Sequence, residues 1–130
     1  MDRRTVLGLY GVVVGVSMIA LWTFLLATGQ IPELREARLQ IASHLVAEFL
    51  TAVALLAAGL GTIAGRRWAG RGLLVALGML LYTVINSAGY YAEAGDGAMV
   101  GMFALLTATT LGCLWIGLTR PQILRIERNG

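Results

Sequence analysis

The sequence predicts an all-α integral membrane protein: a four-helix bundle with short connections and both termini in the cytoplasm. Three observations predict it. Apolar residues make up 58% of the 130-residue chain and charged residues only 13%, too few to cover the surface of a soluble domain of this size. The apolar residues gather into four stretches, each long enough for the roughly 20 residues that a helix needs to cross a bilayer. The arginines gather in alternate connections between those stretches. The stretches and their short connections use nearly the whole chain, so residues 1–130 are expected to form one transmembrane domain.

The first predicted helix runs from Thr5 to Thr28, with Gly29 and Pro32 beyond it as a stop signal. Its flank, Met1-Asp2-Arg3-Arg4, has the charged start of a secretory leader. The apolar run is longer than the roughly 7–15 residues of a leader core, so it is expected to stay as a membrane helix. The second helix is predicted from Leu39 to Ala64, before Gly65; the third from Gly72 to Ala92; the fourth from Ala98 to Leu118, before Pro121. Strands would need a closed barrel of many more segments. In the first outer connection, Pro32 followed by Glu33 and Glu36 has the pattern of a helix start, an interfacial helix or an outward extension of the second helix.

All ten basic residues are arginine. Arg3 and Arg4, then Arg66, Arg67 and Arg71, then Arg120, Arg125 and Arg128 must share one side of a four-helix protein. The other side has Arg35 and Arg38 offset by Glu33 and Glu36, and a last turn with Glu93 and Asp96. The positive-inside rule then places the termini in the cytoplasm of a cell (inner) membrane protein. The net charge of +3 reads as topology setting and headgroup contact, and no nucleic-acid partner is expected. Gly8, Gly11 and Gly15, then Ala54, Ala58, Gly61 and Gly65, then Gly101, Ala108, Gly112 and Gly117 mark stripes where helices can approach closely, within one chain or between copies. The lone Cys113 excludes an internal disulfide.

The chemistry-bearing pair is His44 and Glu48, four residues apart on one face of the second helix, with Thr51 continuing that face. Glu48 is the carboxylate placed well inside an apolar stretch, and His44 is the single histidine. A carboxylate in hydrocarbon must face protein or water, find a partner or take a proton. The third helix runs back to the same depth with Thr83, Asn86, Ser87 and Tyr90, all suited to bond that pair. The first helix could add Trp22 and Thr23, and the fourth Met99, Met102 and Thr107. The cytoplasmic half is expected to hold almost no polar side chain beyond Ser17 and Thr62.

Two arrangements follow. In one, Glu48 and His44 sit in a pocket of the outer half, with Thr51, Thr83, Asn86, Ser87, Tyr90 and Trp22 around the polar head of an amphipathic ligand. In the other, the same groups clamp helices together. Metal is not expected: one His and one Glu fall short of a closed site, and the turn with Glu93 and Asp96 lacks the oxygens that calcium takes. A bis-histidine haem would need His44 from two copies. No motif encodes a cofactor. Trp68, Trp115 and Tyr91 are expected in interfacial aromatic belts.

His44-Leu45-Val46-Ala47-Glu48, the Gly/Ala-rich continuation to Gly61, the basic turn Gly65-Arg66-Arg67-Trp68-Ala69 and Gly78-Met79-Leu80 resemble the DoxX-like four-helix membrane proteins over residues 41–81. The resemblance implies a membrane subunit or accessory protein linked to quinone or thiol redox systems. The expected partners are membrane lipid, an amphipathic small molecule such as a quinone, and a second copy or a redox-complex partner. The alternatives are an enzyme transferring protons through His44 and Glu48, an oligomeric channel or exporter with Glu48 facing a shared pore, and a structural assembly protein.

Overall fold

In a computed structural model the chain is described over residues 2–29 and 38–124, with the side chains of residues 38, 40 and 41 excepted. The helix-start pattern after Pro32 and the tail arginines Arg125 and Arg128 lie outside the described residues. The described chain is helical: α1 spans Arg3–Ala27, α2 Arg38–Ile63, α3 Ala69–Glu93 and α4 Gly97–Thr119, followed by a short 3-10 turn, Pro121–Ile123. All four helices are long and apolar enough to cross a membrane.

Local chemistry explains the ends. Asp2 caps α1 by accepting the Thr5 N–H at 2.8 Å, and Asp96 caps α4 by accepting the Met99 N–H at 3.1 Å. Hydrogen bonds from Thr5 hold the Asp2 carboxyl below the usual aspartate value. After α2 and α3 the chain turns at Gly65 (φ 78°) and Gly95 (φ 76°), a left-handed conformation that glycine adopts without steric cost. Each turn closes with the next residue's N–H on the carbonyl five back, Arg66 to Gly61 at 2.8 Å and Asp96 to Tyr91 at 3.0 Å, as a helix C-terminus requires.

Sequence neighbours pack antiparallel: α1 on α2, α2 on α3, α3 on α4. The α1–α2 seam is the tightest. A methyl at Gly8 would stand 2.8 Å from the Gly59 carbonyl oxygen, one at Gly59 2.6 Å from that of Gly8, and one at Gly15 2.9 Å from that of Ala52. Leu55, Leu73, Leu77 and Leu80 fill the centre and are almost wholly buried. Leu124 folds back against Gly70 at the same end as the α2–α3 turn. By contrast α4 buries only Thr110 and Gly117, and Gly101 and Gly112 face open space, so most of its expected small-residue stripe is not used within the chain.

One polar contact joins α1 to α4, in the half where almost none was expected. The Tyr10 hydroxyl lies 2.8 Å from both Thr109 Oγ1 and Thr110 Oγ1. The Tyr10 hydroxyl also points its proton toward the Leu106 carbonyl at 3.5 Å, and within each hydroxyl pair either partner can donate. Thr110 is fully buried, so its hydroxyl depends on that partner. Tyr10→Phe should therefore lower stability by about 1 kcal/mol, read as a lower unfolding temperature in detergent; an unchanged Thr110→Val control beside an unchanged Tyr10→Phe would refute the clasp.

Candidate functional site

The α1–α2 seam builds the site. On α1 the stripe Gly8, Gly11, Gly15, Met18, Trp22 advances by alternating steps of three and four, so it keeps one face. On α2 the facing positions run Gly59, Leu55, Ala52 and Glu48 toward the start of the helix. Small residues hold the backbones together at one end. At the other end the seam carries three large polar side chains: Trp22, His44 and Glu48.

Glu48 lies about 15 Å along α2 from its described start, and His44 about 9 Å. Glu48 is 5% exposed. Trp22 Nε1–H donates to Glu48 Oε2 at 3.1 Å. His44 Nε2 stands 3.7 Å from Glu48 Oε1, close enough for charge attraction when the ring is protonated but beyond a hydrogen bond. Trp22 and His44 meet edge to face, with centroids 5.4 Å apart and planes at 72°, a favoured aromatic arrangement. Glu48 Oε1 is buried and accepts no hydrogen bond among the described residues. The cluster reaches the surface through the His44 side chain, 25% exposed, and through the partly exposed Trp22 ring.

The other expected residues divide. Thr51 is buried one turn further along the same face, its hydroxyl donating to the Ala47 carbonyl at 2.7 Å. Thr83 and Ser87 lie on the buried face of α3, and the Thr83 hydroxyl donates to the Leu80 carbonyl at 2.9 Å. Asn86, expected to bond Glu48, is exposed. The buried face of α3 centres on Leu73, Leu80 and Ser87, and one residue is a rotation of about 100°, which turns Asn86 outward. Tyr90 is half exposed and meets Tyr91 edge-on at 5.1 Å; Tyr91 stacks on Phe103 of α4 at 5.6 Å. These rings link α3 to α4, and the hydrogen bond to Glu48 comes from Trp22 of α1.

A shallow groove of about 510 Å³ runs along the outer face of α1, lined by Val16, Ile19, Ala20, Thr23, Phe24 and Ala27, a face turned away from the stripe that meets α2. It is open and apolar apart from Thr23, and Glu48 is not in its wall. Trp68 and Trp115 are exposed. Among the described residues no three His, Cys, Asp or Glu side chains group closely enough to hold a metal ion. Sequence reasoning offered Trp22 as one of several groups around the His44–Glu48 pair and did not single out Tyr10, Thr109 or Thr110. Matching depth was the available signal: Tyr10 lies about 10 Å from the start of α1, and Thr110 about 14 Å from the end of α4.

The model of one protein family, described as a domain of unknown function (DUF8058), matches residues 1–128, and the chain belongs to that family. No curated protein matches the chain, and no solved structure does.

Proposed function

We propose that this member of the DUF8058 family is a membrane-embedded binding protein whose Trp22–His44–Glu48 cluster receives the polar head of an amphipathic molecule, a lipid or a quinone. In this reading the four helices cross the cell membrane with both termini in the cytoplasm. Arg3, Arg4, Arg66, Arg67, Arg71 and Arg120 then face inward, and Glu93 and Asp96 face outward. The surface supports insertion: Val13, Phe24, Leu50, Val75, Leu105 and Leu118 are all exposed, as suits a chain whose solvent is lipid.

The observation that carries the binding reading is the buried Glu48 oxygen that has no donor among the described residues. An ionisable group at membrane depth normally has a partner or a task, and an unmet acceptor is costly. Here one oxygen is anchored by Trp22 and the other waits beside a partly exposed imidazole. The DoxX-like resemblance adds a setting, that of an accessory subunit to a redox complex. A structural clamp is the competing reading, favoured by the Trp22–Glu48 bond that ties α1 to α2.

Glu48→Gln separates the two, because a glutamine carbonyl can still accept from Trp22. Native mass spectrometry of gently extracted protein should find a small amphipathic molecule on the wild type and not on Glu48→Gln, with similar unfolding temperatures once both are stripped. An empty wild type, or a variant that keeps its adduct, would overturn the binding reading in favour of the clamp.

A further inference from the structure

The balance of donors and acceptors around Glu48 selects the ligand's head. A carboxylate offers about four acceptor positions. Trp22 fills one on Oε2, and Oε1 has none filled among the described residues. Two described donors nearby are engaged: the indole has a single N–H, already given to Oε2, and the Thr51 hydroxyl donates to the Ala47 carbonyl. Among the described residues the cluster therefore presents surplus acceptors, with the His44 ring as an adjustable group beside them.

Resting on the binding reading above, the geometry points to a ligand head that carries its own N–H or O–H donor, a hydroxyl or a primary ammonium. His44 Nε2 and Glu48 Oε1 are 3.7 Å apart. A single heavy atom about 2.8 Å from each closes that gap with ordinary hydrogen-bond lengths. A hydroxyl there donates to Oε1 and accepts from His44; an ammonium donates to both. A head with acceptors alone, such as a carbonyl or an ether, sets lone pairs against Oε1. A trimethylammonium has no proton to give. Oε1 has no surface of its own, so the head reaches it when one of the partly exposed rings over it, His44 or Trp22, turns aside. Leaving a buried acceptor unmet costs enough to favour the donor-bearing head about 10- to 100-fold.

The test uses the full chain in phosphatidylcholine nanodiscs, whose own heads lack such donors. Two probe pairs differ in the donor: dodecylamine against dodecyltrimethylammonium, and a decyl-substituted hydroquinone against its dimethyl ether. Binding is read from Trp22 fluorescence in a Trp68→Phe/Trp115→Phe background, both being exposed rings. The donor-bearing member of at least one pair should bind about 10- to 100-fold tighter, and Glu48→Gln should erase that preference. The pair that shows it identifies an amine or a hydroxyl head. Equal, Glu48-dependent binding within both pairs overturns the donor rule while leaving the site intact. Binding indifferent to Glu48→Gln, or none, overturns the site itself and the inference with it.

Discussion

Gly59→Ala should weaken the protein by about 1–3 kcal/mol, the usual cost of overpacking a filled contact. The added methyl would lie 2.6 Å from the Gly8 carbonyl oxygen and 3.0 Å from the Val12 nitrogen. Both are backbone, so neither can rotate away as a side-chain tip would, and α1 must move off α2. The same exchange at Gly78, where nothing lies within 4 Å, should be neutral or stabilising, because alanine is the better helix former by about 0.5–1 kcal/mol. The two variants carry identical chemistry on exposed and packed faces. Unfolding in detergent or by steric trapping measures the contrast, and equal stabilities would show that α1 and α2 do not meet through these glycines. Since Trp22 and Glu48 sit on the same seam, Gly59→Ala should also release any ligand held there.

Trp22→Phe should cost about 3 kcal/mol, through one lost donor more than through lost volume. The phenyl ring keeps an aromatic surface in the seam but leaves both Glu48 oxygens without a hydrogen bond. Breaking a buried pair by removing one partner is typically worth about 3–5 kcal/mol, because the other is stranded. Removing both partners restores the balance, so Trp22→Phe should be far milder in a Glu48→Leu background. That double-mutant cycle isolates the coupling. If Trp22→Phe costs the same in both backgrounds, the indole N–H does not support the carboxylate, and the cluster is an accident of packing.

The helices were legible in the sequence because the bilayer criterion is local: about 20 apolar residues suffice wherever they lie. Expected and observed ends agree within three residues; α3 starts earliest, at Ala69 rather than Gly72. Glycine turns at Gly65 and Gly95 are local as well. The pairing of His44 with Glu48 needed only the helical repeat. The choice of partner for Glu48 was not legible. Asn86 and Trp22 are both plausible by depth, and the decision between them depends on the rotation of α3 about its axis. An apolar helix hides that rotation, since its exposed side is as hydrophobic as its packed side. The Tyr10–Thr110 contact was hidden for the same reason: its residues are distant in the chain, and no periodicity pairs them.

The sequence by itself determined the four long apolar helices and their lengths, the glycine turns at Gly65 and Gly95, and the asymmetry of charge between the two ends. Only the tertiary structure decided that α1 supplies a donor to Glu48, that α4 leaves most of its surface to the surroundings, and that one carboxylate oxygen has no partner among the described residues. Spans follow from transfer free energies that each residue contributes alone; partners follow from which faces meet, and that is a property of the packed whole.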